Sequence, residues 1–174
     1  MKPHSILKTF NFETPIGFMM AIANEKELLL LEFVERKNLQ SEIERFQKKT
    51  HSTLILERAF PIDSIEHELD LYFKGQLETW TTPIRLYGTP FQNIVWEELR
   101  KIPFGATASY ASIATSIGKP TAFRAVALAN ATNQLAIIVP CHRVIRMNGD
   151  WGGYAGGIDR KQWLIGHEKN MANR

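Results

Sequence analysis

Ser109-Tyr110-Ala111-Ser112-Ile113-Ala114-Thr115-Ser116-Ile117, then Gly118-Lys119-Pro120, then Thr121-Ala122-Phe123-Arg124-Ala125-Val126-Ala127-Leu128-Ala129-Asn130, sets the architecture of the second half of this 174-residue chain. The spacing predicts two short helices joined by a glycine-bearing turn, a helix-turn-helix. Ala114, four residues before Gly118, lets the second helix pack closely on the first. That second helix is slim, and Arg124 is its one long cation. It fits a nucleic-acid groove; it also fits an Ala-rich packed helix with one exposed arginine. Charge weighs toward DNA. Residues 1–88 hold 11 Lys and Arg against 13 Asp and Glu, a net −2, whereas residues 89–174 hold 10 against 5, a net +5. A basic half is expected of a surface that meets phosphates.

Upstream, Thr89-Pro90 predicts a helix start, with threonine as cap and proline in the first turn, running through Trp96 and Leu99 to Pro103-Phe104-Gly105. Downstream, Val144-Ile145-Arg146 and Asn148-Gly149 predict a short hairpin. A glycine loop around Tyr154 follows, and then a last helix over Asp159 to Lys169 with Trp163, Leu164 and Ile165 inward. No lysine–serine/threonine pair follows that loop, so it does not read as a nucleotide-triphosphate cradle.

The first half reads as strands over Ile6 to Phe12, Phe18 to Ala23, Leu28 to Val34 and Thr53 to Leu56, with helices over Lys37 to Lys49 and Ser64 to Phe73. Gly75 to Gly88 reads as a connector, giving a scaffold domain over 1–88 and a second domain over 89–174. The fold class is α+β. His4, His51 and His67 lack cysteine neighbours, and no metal site is expected.

Cys141 is the only cysteine, and His142 follows it. A lone thiol that matters chemically does so as a nucleophile, and an adjacent imidazole can take its proton. The alternative is a buried structural cysteine, favoured by the apolar run Leu135 to Val139. Pro140 opposes it by placing Cys141 at a strand end or in a tight corner, across which Cys141 and His142 could cooperate. The start of the chain, Met1-Lys2-Pro3-His4-Ser5, reads as no secretory signal, and no run is long enough to span a membrane. One cysteine without a pairing framework fits a reducing compartment, so the cytoplasm is expected.

Taken together, Ile138-Val139-Pro140-Cys141-His142-Arg143-Val144, Pro103-Phe104-Gly105 with Ser109-Tyr110, Arg124-Ala125-Val126, Asn133, Tyr154 with Gly156-Gly157, and His167-Glu168 resemble the O6-alkylguanine-DNA alkyltransferase family from about Thr89 to Glu168. The stretch Ile117 to Ala127 is similar to the alkyltransferase half of the bacterial adaptive-response protein.

The resemblance implies a ribonuclease-H-like α/β domain followed by a mainly helical winged-helix/helix-turn-helix domain carrying the active cysteine. It implies direct-reversal repair: alkyl transfer from O6-alkylguanine in flipped-out bases to Cys141, once per molecule and without a cofactor. His142 would be the base, with Glu168 reached through a water; Tyr110 would protonate the departing guanine, and Asn133 would hold the turn at Cys141. Arg124, Ala125, Thr121 and Ser109 would meet DNA, Arg124 by filling the vacated stack. Tyr154, Val139, Ala155 and Ala136 would line the pocket. Double-stranded DNA containing O6-alkylguanine is the expected partner, and the chain is expected to be a monomer.

Ala127-Leu128 departs from the glycine pair of many relatives, and Ala136 from their proline. The first half lacks the cysteines of a phosphotriester-repair domain, which argues against transcriptional control. Two other classes compete: a helix-turn-helix regulator that needs no thiol, and a cysteine hydrolase that turns over.

Overall fold

The computed structural model describes residues 3–174; Met1 and Lys2, where the expected scaffold domain and the reading of the N-terminus begin, lie outside the described residues. The chain divides into two compact units, after Arg85 rather than after Gly88.

In the first unit, β1 (Ser5–Thr14), β2 (Gly17–Ala23) and β3 (Leu28–Phe33) form an antiparallel meander, and β4 (Ser52–Leu56) adds parallel to β1, giving the order β3-β2-β1-β4. The first turn needs Gly17, whose φ of 126° lies where L side chains rarely go. Every residue of β3 is buried, Glu32 included; Arg36 neutralises that carboxylate at 3.0 Å and Glu42 at 3.1 Å. Helix α1 (Leu39–Thr50) buries Leu39, Ile43 and Phe46, the stripe its spacing predicts.

Helix α2 (Phe60–Phe73) starts four residues before the predicted Ser64 because Pro61 sits in its first turn, where its missing N–H costs nothing. Its Glu68 is buried and clasps the connector: one carboxylate oxygen accepts from the backbone N and hydroxyl of Thr81, the other from those of Thr82. These four bonds outweigh burial and hold the Glu68 carboxyl below its ordinary pKa.

In the second unit, α3 (Pro90–Leu99) opens with a capping box between Thr89 and Gln92. β5 (Ala108–Ser109) leads into α4 (Tyr110–Ser116), capped by Ser109 with Ser112 returning the bond. Helix α5 (Phe123–Ala131) begins two residues later than predicted, because Ala122 N closes a separate turn on Lys119 O at 2.9 Å. Trp96 Nε1 donates to Ala129 O at 2.8 Å, tying α3 to α5. One turn of 3₁₀ helix (Cys141–Arg143) is followed by β6 (Val144–Ile145) and α6 (Ile158–Ala172).

Two expectations fail here. The turn at Asn148-Gly149 forms, with Gly149 N on Arg146 O at 3.0 Å, but there is no hairpin of paired strands; β6 pairs in parallel with the distant β5. Trp163 faces outward at 40% exposure and stacks on His167, because the buried stripe of α6 is Lys161, Leu164, Ile165 and Glu168. Among the described residues no helix is long and apolar enough to cross a membrane.

Glu68→Ala strips four donors of their acceptor, so urea unfolding of the whole chain should show a loss of about 2–4 kcal/mol, with Glu68→Gln losing less.

Candidate active site

The corner before Cys141 is built by Asn133. Its Nδ2 donates to Leu135 O at 3.3 Å, Val139 O at 2.9 Å and Cys141 Sγ at 3.2 Å, while its Oδ1 accepts from Leu135 N at 3.0 Å. Backbone bonds from Ile138 N to Ala136 O and from Cys141 N to Val139 O tighten the turn. Ile137 is driven to φ 72°, a costly place for a β-branched residue, worth roughly 1–3 kcal/mol. Of the two alternatives for Pro140, the structure takes the tight corner. Cys141 is 5% exposed and begins the 3₁₀ turn that carries His142 and Arg143.

His142 is fully buried, and its Nε2 meets Glu168 Oε1 at 2.7 Å. The contact is direct, which corrects the expectation of a water between them. Arg143 grips the same carboxylate with Nε on Oε2 at 2.8 Å and one terminal nitrogen on Oε1 at 3.0 Å, and donates to Ile102 O at 2.7 Å.

Burial pushes the Glu168 carboxyl up, but its bonds and charge contacts with His142 and Arg143 prevail and hold it at about 2, so it is ionised. Burial also pushes the His142 pKa down, further than Glu168 raises it; Arg143 and Lys161 add to the fall. The imidazole is therefore neutral at neutral pH. An ionised carboxylate can only accept, so the neutral ring carries its proton on Nε2. Nδ1, buried and without a hydrogen-bond partner among the described residues, keeps the lone pair and can accept a proton.

Pairing of Ala108 with Val144 and Ser109 with Ile145 brings the start of α4 beside the chain leaving the 3₁₀ turn. Tyr110, first residue of α4, thus reaches the site. Burial raises its pKa first, the charge of Cys141 second, and Arg146 opposes both. Gly152, at φ 70°, lets the phenol approach: a Cβ there would lie 2.9 Å from the Tyr110 oxygen. Gly105, at φ 79°, is needed for the same kind of reason, since a Cβ would lie 2.7 Å from that of Ala172 and 3.3 Å from Glu168 O.

A cavity of about 810 Å³ opens between α4, α5 and the glycine loop. Tyr110, Arg124, Tyr154 and Ala155 line it, as does Asn130, whose Nδ2 donates to Cys141 O at 3.2 Å. Val139 and Ala136, expected in the wall, are buried instead and bridge to each other within the corner. Arg124 and Ala125 are exposed at the start of α5 and Thr121 is exposed in the turn before it, while the Ser109 hydroxyl is engaged in capping α4.

Sequence reasoning assigned no part to Arg143, Lys161 or Asn130. Lys161 Nζ donates to Val144 O at 2.5 Å and Gly153 O at 3.2 Å, joining β6 to the glycine loop; burial lowers its pKa to about 8, against the pull of Cys141. The missed signal was a lysine and a glutamate at the ends of an apolar helical stripe, spaced i, i+3, i+4, i+7.

Comparison with known proteins bears on this geometry. Residues 90–170 match the family described as 6-O-methylguanine DNA methyltransferase, DNA binding domain. A methylated-DNA–protein-cysteine methyltransferase of Methanosarcina barkeri is 42% identical over 159 residues, 91% of this chain and 94% of that protein. One of Mycobacterium bovis is 51% identical over 105 residues, 60% of this chain and 64% of its own length. The crystal structure of Mycobacterium tuberculosis OGT in complex with DNA superposes with a TM-score of 0.81 at 38% identity, covering 96% of this chain and 94% of that one. The O6-methylguanine-DNA methyltransferase of Pyrococcus kodakaraensis gives 0.70 at 25% identity, over 93% and 98%. With such identity along nearly the whole of both chains, this protein belongs to the methylated-DNA–protein-cysteine methyltransferase family.

Proposed function

We propose that this chain repairs DNA by moving the alkyl group of O6-alkylguanine onto Cys141, irreversibly and once per molecule. The observation that carries the reading is the oriented imidazole: with Nε2 held by ionised Glu168, Nδ1 of His142 is left to take the Cys141 proton. The thiolate then attacks the alkyl carbon, the bond from that carbon to O6 breaks, and the electron pair leaves with guanine. Tyr110, kept protonated by burial, supplies a proton to the leaving base. The product is a thioether and guanine. The imidazolium that forms is stabilised by its direct contact with the Glu168 carboxylate, as in nucleophile–base–orienter sites, while Arg143 opposes it.

The alkylated oxygen of a paired guanine points into the duplex, so the base must be extruded, at roughly a few kcal/mol. The cavity is large enough to receive it, and we infer that Arg124 fills the gap it leaves, helped by the exposed Ala125 and Thr121. Tyr154 and Ala155 wall the pocket, and Asn133 keeps the thiol in place. We read the first unit, which ends at Arg85, as a ribonuclease-H-like scaffold, supported by the mixed sheet, and the second, from Leu86, as a winged-helix domain, supported by the α4–α5 pair and the β5–β6 ribbon. The protein would act as a monomer in the cytoplasm on double-stranded DNA containing O6-alkylguanine. The regulator reading finds no support in the relatives above.

Incubation with a duplex containing O6-methylguanine should add one methyl to the peptide holding Cys141, and Cys141→Ala should abolish this in intact-protein mass spectra while still binding DNA. Repeated turnover would refute the mechanism.

Glu168→Gln should slow transfer by about 10²-fold, the scale of a general-base contribution, as seen in single-turnover rates. The same variant tests stability. Glu168 sits at about 2 against an ordinary 4.5, so it stabilises the fold above pH 4.5 and that support fades as pH falls toward 2. Acid titration of the variant should show a shallower loss in that window.

Arg124→Ala should lower the rate with saturating duplex by about tenfold, because extrusion loses its support, and should spare reaction with free O6-alkylguanine. A wild-type rate at saturation would make Arg124 a backbone contact instead.

A further inference from the structure

The cavity beside Cys141 carries unbalanced charge. Arg124 on α5 and Arg146, the residue after β6, both line it, and among the described residues no acidic side chain does. Both arginines are exposed, and among the described residues neither guanidinium has an ion pair. Arg146 bonds through its backbone alone: N to Asp150 O at 2.9 Å, and O from Gly149 N at 3.0 Å. The nearby Asp150 carboxylate is engaged by Asn148 Nδ2 at 3.0 Å. Two unpaired cations on one cavity repel each other, and an anion at its mouth would relieve that.

Arg146 is also held where it can act. The turn at Asn148-Gly149 fixes its backbone, with Gly149 at φ 89° and Asp150 N accepted by Asn148 Oδ1 at 3.1 Å. On the cavity side its charge is felt by Tyr110, whose phenol it pulls down against burial and the charge of Cys141. Arg146 and Tyr110 line the same cavity.

A base inside the cavity remains bonded to its sugar, so the two phosphates of that nucleotide must stay at the mouth. Phosphate oxygens are the anions that a planar guanidinium grips best. Arg124 has its own task in the vacated stack; Arg146 has none in the reaction as derived. We propose that Arg146 clamps a backbone phosphate of the extruded nucleotide and so holds the base in the cavity while Cys141 reacts. This rests on the alkyl-transfer reading above.

The test is single-turnover methyl transfer from two duplexes with one O6-methylguanine each: one with ordinary phosphates, one with uncharged methylphosphonates flanking the lesion. On ordinary DNA, Arg146→Ala should be slower by about tenfold at subsaturating duplex, and Arg146→Lys should recover part of the loss as a point charge. On methylphosphonate DNA, Arg146→Ala and the unsubstituted chain should agree within about twofold, since the partner of the lost charge is already gone. An equal loss on both duplexes, or no loss on either, would overturn the clamp. If the unsubstituted chain places no methyl on Cys141 from ordinary DNA, the alkyl-transfer reading falls and takes the clamp with it; transfer without the expected pattern sinks the clamp alone.

Discussion

Everything in the second unit that bears on chemistry converges on the Glu168 carboxylate, 1% exposed and shared by His142 and Arg143. An unpaired carboxylate at that depth would cost several kcal/mol or take up a proton. Arg143 prevents this, and so permits His142 to be neutral rather than serving as the counter-ion. That division of labour is what turns an ion-paired cluster into a base. It also reaches outward: Arg143 holds the Ile102 carbonyl, and Gly105 lets the chain lie against the Glu168 backbone, so the Pro103-Phe104-Gly105 turn is anchored to the same point.

Most elements were legible because each announces itself locally. The alternation in β1, the stripe of α1, the Thr89-Pro90 start and the glycine-bearing turn before α5 all follow from neighbouring residues. The site residues were assigned chiefly through a family likeness, since nothing local in Glu168 marks its bond to His142, 26 residues earlier. What escaped was long-range. The partner of β6 is β5, some 35 positions upstream, and no turn signal encodes that pairing. Trp163 was expected inward, but the buried stripe takes in Lys161 and Glu168, whose charges are masked by partners the sequence does not show.

The short β5–β6 ribbon explains why the helix pair and the cysteine belong to one piece of machinery. Two residue pairs fix where α4 begins, and α4 begins with Tyr110. Lys161 does the complementary job on the far side, drawing the glycine loop toward Val144 through two carbonyls. The turn that carries Cys141, the start of α4 at Tyr110 and the glycine loop are thus positioned from a common strand. A loosened ribbon would misplace all three together, and Gly152 supplies the room that the Tyr110 phenol takes against the loop.

Under the single-use chemistry proposed above, the bent backbone at Ile137 gains a further meaning. A catalyst that cycles must let its reactive group be regenerated, and a rigid, buried corner is ill suited to that traffic. A single-use acceptor faces a different demand: to wait, intact, for an event that is rare. Held by Asn133 and buried in its corner, the thiol is kept from casual reagents between synthesis and use. Capacity then depends on how many copies are held in reserve, and shelf life takes the place of turnover as the property the fold has to secure.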